Sequence, residues 1–191
     1  MEGENSHGIP IPTVATLDNS RDNNEALLIL YFNARSLIPK LDELCALVEI
    51  HNPDVISIVE SWLCADIPDN EISIPGYHIF RKDRNRHGGG VLLYIKDIFV
   101  FRELPVDHCN NLEVLPIEIR FSKISFCITV FYRPPNSQSF IFDALCNFLA
   151  SLHIYRFSHF VLIGDFNINM NNPDQPLYSK VCNIMEVFSL T

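Results

Sequence analysis

No stretch of this 191-residue sequence stays apolar for the roughly 20 residues that a membrane-spanning helix needs. Its amino terminus also lacks the basic and then apolar leader of a secreted protein. Both absences point away from a membrane and toward a nuclear or cytoplasmic compartment. The six cysteines, Cys45, Cys64, Cys109, Cys127, Cys146 and Cys182, show no CxxC or CxxH spacing, and several sit in apolar runs. They are read as reduced core thiols, which excludes a zinc site and a disulfide framework. A basic excess is missing too: 14 Lys and Arg face 23 Asp and Glu, a net charge of −9. That balance speaks against a nucleic-acid coat protein, but an enzyme acting on nucleic acid needs only a local basic track. Glycine is scarce at seven residues, and three of them are consecutive, Gly88-Gly89-Gly90. They precede a strand-like run and not a helix, so the context of a phosphate-binding loop is absent and a close-packed hairpin turn is expected. The Arg and Lys residues just before them offer a second reading, a track for a phosphate backbone.

What is present is a hydrophobic content of 48%, enough for one globular domain with a substantial core. Residues 1–25, rich in Asn, Ser, Gly, Pro and acidic side chains, are expected to form a disordered leader, and residues 26–191 the domain. Apolar runs at 26–32, 55–59, 91–95, 124–131 and 160–163 read as strands, as does the alternating 113–120, and residues 74–80 pair with 91–95 as a hairpin. Helical spacing recurs over 39–50, where Pro39 suits a first turn, over 140–152, and after Pro176 through Leu177, Val181, Ile184, Met185 and Phe188.

Each major strand ends in one kind of polar group: Asn33, then Glu60, then Tyr132-Arg133, then Asp165 and Asn167 beyond Gly164. Taken singly these are ordinary turn residues. Strand ends in a layered α/β domain, however, share a rim where sites form. Two carboxylates, two carboxamides, a phenol and a guanidinium are a poor set for zinc and a good one for a hard divalent cation beside an anionic substrate. Phosphodiester hydrolysis asks for such a set, with a positioned water, a neutralised phosphoryl group and a stabilised leaving oxygen.

These residues also carry a family resemblance. Phe32-Asn33-Ala34-Arg35-Ser36-Leu37, Val59-Glu60-Ser61-Trp62-Leu63, Pro75-Gly76-Tyr77, Arg81-Lys82-Asp83-Arg84, Gly88-Gly89-Gly90-Val91, Tyr132-Arg133-Pro134-Pro135 and Gly164-Asp165-Phe166-Asn167, in this order, resemble the endonuclease domain of LINE-type non-LTR retrotransposons. That domain belongs to the endonuclease/exonuclease/phosphatase superfamily. The resemblance implies a four-layered α/β sandwich, two mostly antiparallel sheets flanked by helices, and a nuclease that nicks DNA to prime reverse transcription. It implies Mg²⁺ as cofactor, with Mn²⁺ as the substitute, and the DNA phosphodiester backbone as partner. Glu60 would hold the metal with Asn33 close by, Tyr132 would support the scissile phosphate, Asp165 would orient or deprotonate the attacking water, and Asn167 would bond a phosphate oxygen. Arg133 is added, from its place beside Tyr132, as a phosphate contact.

One departure qualifies the resemblance. The superfamily's terminal pair of strands carries an Asp-His segment, and no histidine follows Asp165 here. The sandwich is therefore expected to be incomplete at its carboxy terminus, with an exposed edge. The alternative function is a catalytically dead remnant, or a binding module that uses the surviving rim. A third option, the same chemistry on a phospholipid or small phosphoester, is disfavoured by the NARSL and YRPP segments.

Overall fold

The computed structural model describes residues 8–18, 26–106, 112–121 and 124–190. Its strands are β1 (Thr13–Asp18), β2 (Ala26–Asn33), β3 (Val55–Val59), β4 (Tyr77–Lys82), β5 (Val91–Lys96), β6 (Val100–Glu103), β7 (Glu113–Phe121), β8 (Ile124–Tyr132) and β9 (His159–Asp165). Its helices are α1 (Leu41–His51), α2 (Phe140–Ser151) and α3 (Tyr178–Val187). The strands form a five-stranded sheet, ordered β1-β2-β3-β5-β4, and a four-stranded sheet, ordered β6-β7-β8-β9. Within them β2 and β3 run parallel, as do β8 and β9, and the other pairs are antiparallel.

Side-chain alternation explains the layering, because successive residues of a strand face opposite sides. Ile29, Val55, Val59, Leu93 and Ile95 of the first sheet meet Leu115, Ile117, Ile128, Val130 and Tyr132 of the second in one buried layer. The alternate residues Leu30, Phe32, Ile56, Ile58, Leu92 and Tyr94 turn outward under α1 and pack on Leu44. On the other outer face, Val114, Cys127 and Phe131 lie under α2 and α3, against Phe142, Leu145, Phe148, Val181 and Ile184. Helix, sheet, sheet and helix give the four layers that the resemblance implied. Both sheets are apolar on both faces, which is why their strands read as continuous apolar runs.

Three features differ from the sequence reading. Thr13–Asp18, expected within a disordered leader, forms β1 antiparallel to β2. It is a thin edge strand: Val14 points outward at 45% exposure, while Leu17 alone of its apolar side chains reaches the layer between the sheets. The rest of the proposed leader, 1–7 and 19–25, lies outside the described residues, as does Cys109. Strand β6 has no counterpart among the expected strands, being four residues long with Val100 exposed. Strand β9, whose run 160–163 suggested full burial, is half-buried along its whole length. Phe160 and Leu162 pack toward the helices and Val161 and Ile163 toward the other sheet. Its faces are covered, but its far edge borders a groove of about 680 Å³ shared with Leu17 and α3.

Gly164 closes β9 where the chain has no room for a side chain. A Cβ there would lie 1.7 Å from the Phe131 carbonyl oxygen of β8, with the backbone at φ +155°. Overpacking of this kind costs about 1–3 kcal/mol even where neighbours can move, and here the obstacle is backbone. Gly164→Ala is expected to lower stability by about 3 kcal/mol or more, read in urea denaturation as a fall in midpoint with unchanged slope. A midpoint within error of the wild type would show that this close approach is not obligatory.

Candidate active site

Four strand tips meet on one rim. Asn33 ends β2 beside Val59 of β3, and Tyr132 ends β8 beside Asp165 of β9. Two hydrogen bonds then join the sheets: Asn33 Nδ2 donates to Asp165 Oδ2 at 3.2 Å, and the Tyr132 hydroxyl donates to Glu60 Oε1. The loops between are stitched by backbone bonds, Ser36 N to the Glu60 carbonyl and Leu37 N to the Ser61 carbonyl at 3.0 Å each. Lys40, itself buried, donates its ammonium to the Ala34 carbonyl and holds the first loop from beneath.

Backbone strain gathers here. Arg35, Ser36, Glu60, Trp62 and Asn167 all take positive φ, at 42°, 82°, 57°, 55° and 50°. Side chains other than glycine occupy that region at a cost, and such positions cluster at functional sites when the surroundings enforce them. The turns after β2, β3 and β9 thus bend sharply and leave their polar side chains at the rim.

Glu60 is the best-held group. Besides Tyr132, its carboxylate accepts the Trp62 indole N–H at 2.5 Å and the Gly89 amide at 3.2 Å, both on Oε2. Burial pushes its carboxyl upward, but the bonds from Trp62, Tyr132 and Gly89 and the Arg84 charge outweigh it and hold the group below the usual carboxylate value. Tyr132 is 1% exposed. Burial and the bonded, negatively charged Glu60 push its phenol up, so it stays protonated and remains a donor. Asp165 accepts the Asn167 amide on Oδ1 at 2.8 Å, and Asn167 anchors its own carboxamide on the Arg133 carbonyl at 2.6 Å. Tyr31, two residues before Asn33 on the same strand face, also belongs here: burial first, then the Asp165 charge, push its phenol up.

The structure therefore brings Asn33, Glu60, Tyr132, Asp165 and Asn167 together. It does not bring Arg133 to the open side. At 2% exposure, Arg133 donates to the Ser137 carbonyl at 2.8 Å and to the Phe166 and Asn167 carbonyls at 3.4 Å, and its guanidinium lies 5.4 Å from the Phe142 ring centre. The phosphate contact expected of it is corrected to a buried strut under the loop that carries Asp165 and Asn167. Three further residues belong to the site: Trp62, to which the sequence assigned no role, Arg84, expected with its basic neighbours to track a phosphate backbone, and Glu113, expected only to open a strand. Trp62 supplies the indole donor. Arg84, on the glycine hairpin, lies 5.9 Å from the Tyr132 ring centre. Glu113 pairs with Arg84 at 2.8 Å and stands opposite Tyr132 in the β7–β8 ladder.

Hard oxygen donors dominate the rim, and among the described residues no cluster of three or more His, Cys, Asp or Glu side chains could hold a metal. One carboxylate and one carboxamide fit a cation such as Mg²⁺, which takes few protein ligands and keeps water; they do not fit zinc. No helix among the described residues is long and apolar enough to cross a membrane.

Solved structures share this architecture. The endonuclease domain of TRAS1, a telomere-specific non-LTR retrotransposon, matches with a TM-score of 0.63 at 12% identity, over 83% of this chain and 69% of that one. A 3′ phosphatase from Neisseria bound to a product DNA hairpin matches with a TM-score of 0.65 at 18% identity, over 84% and 71%. An AP endonuclease from Archaeoglobus fulgidus matches with a TM-score of 0.58 at 15% identity, over 83% and 70%. At these identities the likeness is one of fold. No curated protein matches the chain in sequence. The sequence model of the endonuclease/exonuclease/phosphatase family does match, over residues 30–178, a span that opens within β2 and closes at the start of α3 and so takes in every strand tip of the rim. By that match, the chain belongs to the endonuclease/exonuclease/phosphatase family.

Proposed function

We propose that this domain is a Mg²⁺-dependent DNA endonuclease of the non-LTR retrotransposon type, which nicks target DNA by hydrolysing a phosphodiester. One observation carries the reading: two inter-sheet hydrogen bonds, Tyr132 to Glu60 and Asn33 to Asp165, converge acid, amide and phenol groups on a single rim. Glu60, with the carboxamide of Asn33 nearby, would hold the cation. When bound, the metal supplies neutralisation of the phosphoryl group and of the leaving oxygen. The chain's own groups do the rest. Asp165, kept in place by Asn33 and the Asn167 amide, orients a water and accepts its proton. Tyr132 stays protonated, and its one hydrogen, held by Glu60 Oε1 in the free protein, turns to the phosphate as charge rises there. Asn167, exposed and fixed at one end, offers its carboxamide to a phosphate oxygen.

A second reading, a DNA-binding module without hydrolysis, is favoured by one observation: among the described residues no histidine bonds Asp165 or Asn167. His159 opens β9 and stacks on Phe126, 4.9 Å between ring centres, at the opposite end of that strand from Asp165. Supercoiled plasmid incubated with the purified chain separates the two. Open-circular product with Mg²⁺ that EDTA abolishes is the expected result. Retarded but uncut plasmid would establish the binding module in its place.

A further inference from the structure

Glu113 serves neither the core nor any role given so far, yet it adds a further tie between the two sheets beside Glu60. It opens β7 directly opposite Tyr132. Its side chain is 13% exposed and its two oxygens are both engaged. Oε1 accepts the Arg84 guanidinium at 2.8 Å, and Oε2 accepts the Gly90 amide at 2.6 Å. Arg84 in turn donates its Nε to the Gly88 carbonyl at 2.9 Å. The glycine hairpin of the first sheet is thus fastened to the second sheet by one carboxylate and one guanidinium.

The fastening bears on Glu60 because the same hairpin holds it. The Gly89 amide donates to Glu60 Oε2, the Gly89 carbonyl accepts the Trp62 amide at 3.0 Å, and the Gly90 carbonyl accepts the Ser61 amide at 3.3 Å. The fit is tight enough to explain why glycine stands there. A Cβ on Gly89, whose φ is +69°, would fall 2.5 Å from Cζ and Nε of Arg84 and from Oε2 of Glu113. An exposed ion pair would contribute little. This one is partly buried, fixed by the Gly88 carbonyl and the Gly90 amide, and tied through the same hairpin to the carboxylate that would face the cation.

We propose that Glu113, acting through Arg84 and the glycine hairpin, is a positioning residue that fixes the carboxylate of Glu60 and the hydroxyl of Tyr132 in the geometry a divalent cation and a phosphodiester require. The proposal rests on the metal-dependent reading of the site. It makes Glu113 comparable to the outer groups that orient metal ligands, whose loss typically weakens metal binding or activity about 10–100-fold.

Trp62 is the sole tryptophan and donates to Glu60, so its fluorescence reports this site without any assay of cleavage. Mg²⁺ alone is titrated into wild type, Glu113→Gln, Glu113→Asp, Arg84→Lys and, as a control on the same strand, Glu118→Gln. Glu118 is buried and paired with Arg102 and Arg120 on the outer part of β7. Glu113→Gln and Arg84→Lys are expected to weaken Mg²⁺ binding about tenfold or more, with Glu113→Asp in between and Glu118→Gln at wild-type affinity. In metal-free protein, Glu113→Gln is expected to raise acrylamide quenching of Trp62, because the hairpin that holds its loop is released. Wild-type Mg²⁺ affinity and unchanged quenching in Glu113→Gln would overturn the proposal. If Glu113→Gln does not fold, Glu113→Asp and Arg84→Lys decide by the same two readouts. A wild type whose Trp62 ignores Mg²⁺ would instead sink the metal reading, and quenching alone would then show whether Glu113 holds the loop.

Discussion

Replacing Glu60 by Gln is expected to reduce Mg²⁺-dependent nicking at least about a thousandfold, because it removes the only carboxylate that the site keeps ionised with three hydrogen bonds. Neutralising phosphoryl charge with a metal supplies several kcal/mol to the transition state, and each 1.36 kcal/mol is about a factor of ten in rate. The substitution preserves volume, so packing is not at issue. It does misplace a donor: a carboxamide nitrogen would face the Trp62 indole and Gly89 amide or the Tyr132 hydroxyl, all of them donors to Glu60. Mg²⁺ binding followed by Trp62 emission should fall in parallel with nicking. A variant that nicks within tenfold of wild type would remove Glu60 from the metal's ligands. The acid side follows from the same contacts. Burial raises the Glu60 carboxyl, the four donor and charge contacts lower it further, and its folded value ends below the ordinary 4.5. A group lowered on folding stabilises the fold above its unfolded value, and that contribution is lost as pH falls through the folded value. The stability gap between wild type and Glu60→Gln should therefore narrow as pH drops below about 4.5, measured by urea midpoint against pH.

How far the sequence led depends on which physical rule each residue obeyed. The shared placement of Asn33, Glu60, Tyr132 and Asp165 is legible because each ends an apolar run, and in two sheets stacked face to face such ends fall on a common rim. Arg133 was misjudged for a reason alternation supplies. Tyr132 faces the layer between the sheets, so its neighbour must face the other way, under α2, where Phe142 and three carbonyls receive it. Proximity in sequence within a strand argued for shared use; the pleat argues against it. The tie between Glu113 and Arg84 is hidden in the sequence because it depends on cross-strand register, which pairs residue 113 with 132, and on a glycine hairpin reaching across to the second sheet. Glycine scarcity did hold the clue, since three consecutive glycines mark a place with no room for Cβ. The strand at Thr13–Asp18 lay in a polar, Asn-rich context that masks a short β-branched run, and edge strands need little apolar content because one side faces solvent.

Asp165→Asn separates chemistry from binding more sharply than any other substitution at this site. The change keeps the side chain's shape and leaves an oxygen for the Asn167 amide or for Asn33 Nδ2. It removes the negative charge and the capacity to take a proton from water. A positioned general base contributes about 10²–10⁴-fold, and a carboxamide at Asp165 cannot stand in for it. Nicking is expected to fall by about three orders of magnitude, with Mg²⁺ affinity read from Trp62 and plasmid retention on a gel both near wild type. The contrast with Glu60→Gln is the informative part: one variant loses cation and cleavage together, the other cleavage alone. Were Asp165→Asn to lose Mg²⁺ binding to the same degree, Asp165 would be a metal ligand beside Glu60. The bond from Asn33 to Asp165 would then tie two ligands together instead of aiming a base. Were it to cleave normally, the proton of the attacking water must leave by a group other than Asp165.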